Sequence, residues 1–327
     1  MRLEEIGFYT LSDERARRSG CEEVKTYNRC EILLTDRCNF KCPYCKEVRE
    51  DCRGTMGFSK AKGVIDRWAS RGLINVRFSG GEPTIYSSLL GLVRYTADRA
   101  RCEHIAVSTN GSSDIGYYKD LILAGVNDFS ISLDACCASF GKVMSGGTDA
   151  WRKVVGNIEA LSKLVYVTVG IVFTEDNVGQ AKETIEFADK LGVSDIRIIS
   201  SAQYNDAISG IDGVSDEILN RHPILKYRVN NFRAGRNVRG MRSTDCPRCH
   251  LVKDDMAVAG DYHFPCIIYL REGGNPIGRV DGDMLEDRMA WFETHDCSKD
   301  KICHGNCLDV CIDYNNKAEE FAKGDKQ

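Results

Sequence analysis

The sequence predicts an α/β fold: a partial, TIM-like (β/α)6 barrel followed by a small C-terminal cysteine-rich module. Three observations predict it. Between residues 30 and 200, six short apolar runs alternate with amphipathic helical stretches. Each group of polar and cysteine residues suited to chemistry falls just after one of those runs, where parallel α/β architectures place their ligands. The 16 cysteines of the 327-residue chain gather mainly in two places.

The apolar runs predict strands over Glu31–Thr35, Ile74–Phe78, His104–Ser108, Asp128–Leu133, Tyr166–Phe173 and Asp195–Ile199. Helices fill the gaps. Ser59 caps one that ends before Gly72, Ser113 and Gly125 bracket a second, and Asp176 and Gly192 a third. Six strand–helix units in succession imply parallel strands with right-handed crossovers. Six is short of the eight that close a full barrel. Residues 1–29 precede the barrel as an extension, and residues 30–200 make the barrel. Residues 201–245 are Arg-rich, apolar-poor and weakly periodic, and read as a bridge. Residues 246–315 hold seven cysteines, and the charged tail 316–327 is expected to fray.

Composition excludes some functions. A net charge of −4 offers no broad basic field for nucleic acid. Runs such as Tyr166–Phe173 are too short to cross a bilayer. The charged start (Arg2, Glu4, Glu5, Asp13, Glu14, Arg15) has no apolar core of a signal peptide, so a cytoplasmic protein is expected. Sixteen cysteines in a long chain without an export signal read as metal ligands rather than disulfides. Cys21, Cys30, Cys52 and Cys102 fit isolated buried thiols instead.

After the first strand comes Thr35-Asp36-Arg37-Cys38-Asn39-Phe40-Lys41-Cys42-Pro43-Tyr44-Cys45. Three thiolates at this C-x3-C-x2-C spacing can wrap one 4Fe–4S cube and leave the fourth iron open. A zinc knuckle with Cys52 as fourth ligand is the other reading of the spacing. With the aromatic Tyr44 before its third cysteine, the run resembles the radical S-adenosylmethionine (SAM) signature. The rest of that family's pattern follows in order. Ser79-Gly80-Gly81-Glu82-Pro83 resembles the motif that binds the SAM amino group, with two glycines for close backbone approach and a carboxylate to accept from an ammonium. Ser108-Thr109-Asn110-Gly111 and Ser130-Ile131-Ser132-Leu133-Asp134 resemble the segments that contact the SAM ribose and carboxylate. Val169-Gly170-Ile171-Val172 resembles the segment near the adenine. The resemblance covers about residues 30–200.

It implies that Cys38, Cys42 and Cys45 hold a 4Fe–4S cluster. Tyr44, Gly80, Gly81, Glu82, Pro83, Ser108, Asn110, Ser132, Asp134 and Ile171 would bind the cofactors. The reduced cluster would cleave SAM to methionine and a 5′-deoxyadenosyl radical that abstracts hydrogen. An electron donor such as flavodoxin or ferredoxin would supply the electron.

Cys246-Pro247-Arg248-Cys249 is followed by Gly260, Pro265-Cys266, Gly278, Cys297, Cys303, Cys307 and Cys311. One zinc ion would use four of these thiols; seven suggest more than one centre. The layout resembles the SPASM and Twitch auxiliary-cluster extensions, with a β-hairpin around Gly260–Gly278 and C-x5-C-x3-C at 297–307. That resemblance implies one or two auxiliary 4Fe–4S clusters on these seven cysteines. Thr294 stands where the SPASM tail has a cysteine, so either one iron is open or a residue such as His304 completes the set. The core and the C-x2-C…C element are also similar to the GTP 3′,8-cyclase family of molybdenum-cofactor synthesis. The paired glycines that end those cyclases have no counterpart in Gly324-Asp325-Lys326-Gln327.

Cys136 and Cys137 follow the fourth strand, where a thiol could donate a hydrogen atom to a substrate radical; small buried residues at a helix start is the other reading. Arg221, Arg228, Arg233, Arg236, Arg239, Arg242 and Arg248 either form a solvated basic face or anchor an anionic substrate through bidentate bonds. Arg233, Arg236, Arg239 and Arg242 lie nearest the auxiliary cysteines in sequence and are the preferred anchors. Three functions are thus expected in order. The first is an enzyme that rearranges, cyclises, epimerises or dehydrogenates a small anionic or nucleotide-like substrate, hence an oxidoreductase, isomerase or lyase. The second is a maturase of ribosomally made peptides, whose peptide-recognition domain would be a separate protein. The third is a non-enzymatic zinc or iron–sulfur module, against which the SAM motifs argue.

Overall fold

A computed structural model of the chain describes residues 13–21, 28–100, 102–201 and 211–324. Among these residues nine strands form: β1 (Arg29–Leu33), β2 (Asn75–Ser79), β3 (His104–Thr109), β4 (Asp128–Ser132), β5 (Tyr166–Phe173), β6 (Asp195–Ser200), β7 (Asp255–Ala259), β8 (Tyr262–Phe264) and β9 (Gly278–Arg279). All six expected strands are present, with ends shifted by two residues at most. The chain divides into two compact units. One comprises Met1–Arg37, Lys46–Ala106 and Arg239–Gln327; the other comprises Cys38–Cys45 and Val107–Val238.

In the first unit β1 lies between β2 and β7 and is parallel to both, with Ile32 opposite Phe78 on one side and Val258 on the other. All three strands are buried at every residue, as parallel strands covered on both faces should be. The charges they carry are paired. Arg29 donates to Asp255 (2.6 Å) and Glu31 (3.0 Å), and the Ser79 hydroxyl donates to Glu31 (2.8 Å). The strand β7 was not expected, because a hairpin alone was read there. Its apolar run Met256–Ala259 has only four residues, too few to announce a strand without its partner. The hairpin itself is present, with β8 antiparallel to both β7 and β9. The helix Phe58–Ala69 covers this unit with Ala61, Val64, Ile65 and Trp68, an i, i+3, i+4, i+7 stripe. Gly57, not Ser59, is its N-cap, and no side chain caps it.

Two further differences concern the chain's ends. Residues 316–324, most of the tail expected to fray, belong to the helix Asp309–Gly324, and it packs on the helix Asp13–Cys21 through Ala16, Tyr314 and Ala318. The Tyr314 and Ser19 hydroxyls meet at 2.5 Å, and a Cβ on Gly20 would fall 2.2 Å from the Ala318 carbonyl oxygen. Tyr314, Ala318 and Phe321 make an apolar stripe that charge counting alone overlooks. Residues 325–327, and the side chain of Cys21, lie outside the described residues.

In the second unit β4, β5 and β6 are parallel, with Ile131 opposite Val169 and Ile171 opposite Ile198. The helix Ile115–Leu123 is capped by Asp114, whose carboxylate accepts from the Gly116 amide (2.8 Å), one residue beyond the expected Ser113. The Arg-rich bridge is more ordered than its weak periodicity suggests. Ser215 caps the helix Asp216–Arg221, and Pro223 starts the helix Pro223–Arg233. They bury Ile218, Leu219, Ile224, Leu225 and Val229. Residues 202–210 of the bridge lie outside the described residues. No helix among the described residues is long and apolar enough to cross a membrane.

A buried guanidinium organises the C-terminal part of the first unit. Arg288, wholly buried on the helix Met284–Thr294, donates to the carbonyls of Val252 (2.8 Å), Phe264 (3.0 Å), Pro265 (3.2 Å) and Asp255. Methionine would fill the volume and leave four carbonyls short of a donor. Arg288→Met is therefore expected to lower unfolding stability by about 3 kcal/mol or more. Arg279→Met, at an exposed ion pair, should leave stability nearly unchanged. Denaturant titration of the two variants checks this, and equal losses would refute it.

Candidate active site and cysteine centres

In the second unit, Cys38, Cys42 and Cys45 share one loop, with Cys38 and Cys45 exposed and Cys42 half-buried. The amide of Cys45 bonds to the Cys42 carbonyl (3.0 Å), and the Phe40 amide to the Cys38 sulfur (3.4 Å). Neighbours hold the loop in place. Asn110, at the end of β3, donates to Asn39 (2.8 Å) and lies 3.9 Å from the Cys38 sulfur. Asn39 donates in turn to Ser112 (2.9 Å). Gly146 takes φ +72°, and a Cβ there would sit 2.0 Å from the Lys41 carbonyl oxygen, so this approach requires glycine. Burial, with the nearby Asp134 carboxylate, pushes the Cys42 thiol up to about 12. A thiol in this state gives up its proton when a cation arrives. Three thiols on one loop, two of them open to solvent, suit a cluster with one iron free.

Asp134 follows β4 and ties that loop to β5. It accepts from the Tyr44 hydroxyl (2.5 Å) and the Val172 amide (2.7 Å). Burial raises its carboxyl to about 6, although both bonds pull it down. Asn177, which sequence reading did not single out, donates to the carbonyls of Asp134 (3.0 Å) and Val172 (2.9 Å). Ser132 is exposed, Ser108 half-buried and Ile171 wholly buried; Gly170 and Val172, on either side of Ile171, are half-buried.

In the first unit, the Gly80–Gly81 turn after β2 grips the turn after β1. The Gly81 amide donates to the Thr35 carbonyl (2.6 Å) and the Glu82 amide to the Arg37 carbonyl (2.9 Å). A Cβ on Gly80 would lie 2.3 Å from Thr35 O, and one on Gly81 2.2 Å from Arg37 O. Glu82 is wholly buried; one carboxylate oxygen accepts from the amide (3.0 Å) and hydroxyl (2.7 Å) of Thr84, and Pro83 starts the short turn that follows.

The C-terminal thiols also belong to this unit. Cys249 and Cys297 lie within hydrogen-bonding reach, as do Cys297 and Cys303, and Cys266 and Cys307 are close enough to feel the same charges. Cys246 stands apart, grouped with His250 and Glu319, and Cys311 packs on the apolar cluster of Ala16, Leu251, Tyr314 and Ala318. His304, the expected non-cysteine candidate, is exposed. His295 is the imidazole at the thiols, its Nε2 3.8 Å from the Cys303 sulfur. Cys30, Cys52 and Cys102 are buried, as isolated thiols should be, and Cys52 packs with Leu33, Val48 and Phe264.

The four preferred arginines differ in setting. Arg233 is exposed, 3.9 Å from Asp216, and Arg236 is half-buried. Arg242 is exposed and donates to Asp245 (3.2 Å). The Arg239 side chain is only 9% exposed and lies 3.7 Å from the equally buried Glu272, which Lys46 also contacts. The adjacent Arg271 donates to the Gly80 carbonyl (2.6 Å). Cys136 contacts Gln180 (3.7 Å), and burial raises its thiol. Cys137, beside Ser139 (3.4 Å), is lowered by that hydroxyl and the Phe140 amide.

Residues 32–188 match the model of the Radical SAM superfamily. Among curated proteins, the chain is 30% identical over 174 residues to a probable GTP 3′,8-cyclase of Metallosphaera sedula, covering 51% of this chain and 54% of that protein. It is 27% identical over 215 residues to the GTP 3′,8-cyclase of Ectopseudomonas mendocina, covering 60% and 62%. The chain thus spans about half the length of the curated relatives it matches. Among solved structures, Streptococcus suis SuiB bound to precursor peptide SuiA aligns with TM-score 0.59 at 14% identity, over 86% of this chain and 67% of that one. The structure of anSMEcpe with bound AdoMet aligns with TM-score 0.58 at 16% identity, over 91% and 97%. At these identities the structural likeness shows the fold, an α/β partial barrel with a C-terminal extension. The cysteine loop, the glycine turn after β2 and the matched segment agree: the chain carries a radical SAM domain over residues 32–188, an enzyme domain that uses a 4Fe–4S cluster and SAM.

Proposed function

We propose that this enzyme abstracts hydrogen from a small anionic or nucleotide-like substrate, in the cytoplasm, with one or two auxiliary iron–sulfur clusters on its C-terminal cysteines and an electron donor such as flavodoxin or ferredoxin. The reaction would be a rearrangement, cyclisation, epimerisation or dehydrogenation. The observation that carries the substrate class is the buried pair of Arg239 and Glu272, which the partly exposed Lys46 also contacts, next to the arginine that holds the Gly80 carbonyl. Two cations on one carboxylate can trade that partner for a substrate phosphate or carboxylate without a new buried charge. The partial likeness to GTP 3′,8-cyclases supports a nucleotide.

Cys38, Cys42 and Cys45 would hold the cluster, which, given one electron by the donor, would supply reductive cleavage of SAM and hence hydrogen-abstracting chemistry. The chain's part is to bind, orient and exclude water. Asn110 and Asn39 fix the cysteine loop, and Asp134 holds Tyr44 against it. We assign Gly80, Gly81, Glu82 and Pro83 to the SAM amino group, with the Glu82 carboxylate as the acceptor. Ser108, Asn110, Ser132 and Asp134 are assigned to its ribose and carboxylate, and the β5 segment at Ile171 to its adenine. Of the vicinal thiols, Cys136 is better suited than Cys137 to donate a hydrogen atom, because burial keeps its sulfur protonated. The maturase reading stands second, supported by the fold likeness to anSMEcpe over 91% of this chain, a protein whose structure is also known with AdoMet and a Cp18Cys peptide.

Three measurements test this reading. Anaerobically reconstituted protein should carry about eight to twelve irons, and the Cys38, Cys42, Cys45→Ala variant about four fewer, with no 5′-deoxyadenosine released from SAM. Stoichiometric zinc without cluster absorbance would refute it. Glu82→Ala should keep its iron and bind SAM roughly tenfold or more weakly by equilibrium dialysis, from the loss of one charge-assisted bond; unchanged binding would remove Glu82 from the site. Arg239→Ala should weaken GTP binding by roughly ten- to a hundredfold, equivalent to about 1.5–3 kcal/mol, and exposed Arg233→Ala much less. If the protein binds no nucleotide and modifies a neutral peptide, the maturase reading takes its place.

A further inference from the structure

We propose that His295 is a ligand of an auxiliary iron–sulfur centre, its Nε2 binding iron alongside the sulfurs of Cys297 and Cys303; this rests on the reading that the C-terminal thiols hold iron–sulfur clusters. The three donor atoms lie within 4.8 Å of one another. Each is fixed by a different part of the backbone. His295 ends the helix Met284–Thr294 with extended dihedrals (φ −89°, ψ 128°), which turn its ring out of the helix. The amide of Cys297 donates to the Pro247 carbonyl (2.8 Å), next to the Cys246–Cys249 loop. The amide of Cys303 donates to Asp300, which caps the helix Lys301–Asn306 (2.8 Å).

The imidazole is held as a ligand must be. Trp291, one turn back, stacks on it with centroids 4.0 Å apart and planes 16° from parallel. Tyr269 meets it edge-on at 90° and donates its hydroxyl to Asp300 (3.1 Å). Asp300 Oδ2 lies 3.8 Å from Nε2. Rings on two sides thus restrict the imidazole, with Nε2 between the Cys303 sulfur (3.8 Å) and Asp300. A histidine that only filled space would have no need of this aim.

Ligand counting agrees. Two 4Fe–4S clusters take eight protein ligands, and the C-terminal region has seven cysteines. If all seven cysteines serve two clusters one donor is missing, and His295, within 4.8 Å of the Cys297 and Cys303 sulfurs, can supply it where His304 is exposed. A neutral imidazole in place of a thiolate leaves the cluster less negative and raises its reduction potential, as histidine does where it replaces cysteine in Rieske centres. This enzyme would then hold one auxiliary centre that is easier to reduce than an all-cysteine one.

The test uses the 327-residue chain with Cys38, Cys42 and Cys45 changed to Ala, so that only auxiliary centres contribute, reconstituted anaerobically with and without ¹⁵N-histidine. Iron analysis comes first: about four to eight irons per chain support the auxiliary reading, and zinc without iron refutes it and this proposal together. In the iron-loaded, reduced protein, pulsed EPR should show a strongly coupled nitrogen that changes with the label and is lost in His295→Ala. His295→Cys should retain its iron, lose the nitrogen coupling and show a lower midpoint potential, and it keeps the test decisive if the alanine variant folds poorly. A loaded centre with no strongly coupled histidine nitrogen, or a coupling that survives in both variants, would overturn the assignment while leaving the auxiliary clusters in place.

Discussion

The contact on which the first unit depends involves no side chain. The turn after β1 and the turn after β2 pack backbone to backbone, Gly80 and Gly81 against Thr35 and Arg37, at distances that leave no room for a Cβ. One side of this contact runs directly into the cysteine loop. The other carries Glu82, and its Gly80 carbonyl accepts from Arg271, more than 190 residues later in the chain. Three remote segments therefore meet at one peptide group. A larger residue at either glycine would part the turns and displace everything attached to them, so the two glycines have a packing reason to be there whatever ligand they also meet.

The barrel strands were legible because a parallel strand buried on both faces writes its burial in consecutive residues. β2 is buried at every residue, and β5 reads as Tyr166–Phe173 in both sequence and structure from its unbroken apolar run, although Tyr166, Gly170 and Val172 are half-buried. Elements stabilised by distant partners were less legible. β7 is a short run whose stability comes from β1, and the helix Asp309–Gly324 has a charged composition with its apolar stripe matched to the helix Asp13–Cys21. Helix starts were misplaced by one or two residues because Ser59 and Ser113 are good caps in isolation, whereas the backbone turns at Gly57 and Asp114.

The site divides along the same line. A loop such as Cys38–Cys45 is written in adjacent residues and can be read directly. Asn177 and His295 are visible only after folding, because their partners lie far off or across a turn. His295 had a faint signal: it adjoins Thr294, the position where a cysteine was missed. The arginines carried no such signal. Arg239 is set apart from Arg233 and Arg242 by Glu272, and no spacing rule links residue 239 to residue 272.

The auxiliary thiols make a demand on the fold that explains their surroundings. Cys266 is pushed up to about 12 by burial, with the charge of Cys249 adding to it. Cys307 is pushed well up by burial and by Cys311. Cys303 sits at about 11 although a bond from Cys297 pulls it down. Without a metal these groups stay protonated, since several buried thiolates would repel one another at low dielectric. Loading iron must therefore release protons and replace their charge, which makes assembly pH-dependent and the filled centre a stabiliser of its own module. One fixed cation that acts on this chemistry is Arg288, whose charge favours the thiolate of Cys249 while its protons hold four carbonyls. Its hydrogen bonds keep it buried before any iron arrives, so the positive field is in place when the thiolates form. The same residue therefore serves two links of the chain from sequence to function: it closes the backbone around the cysteines, and it lowers the cost of the charge they must carry.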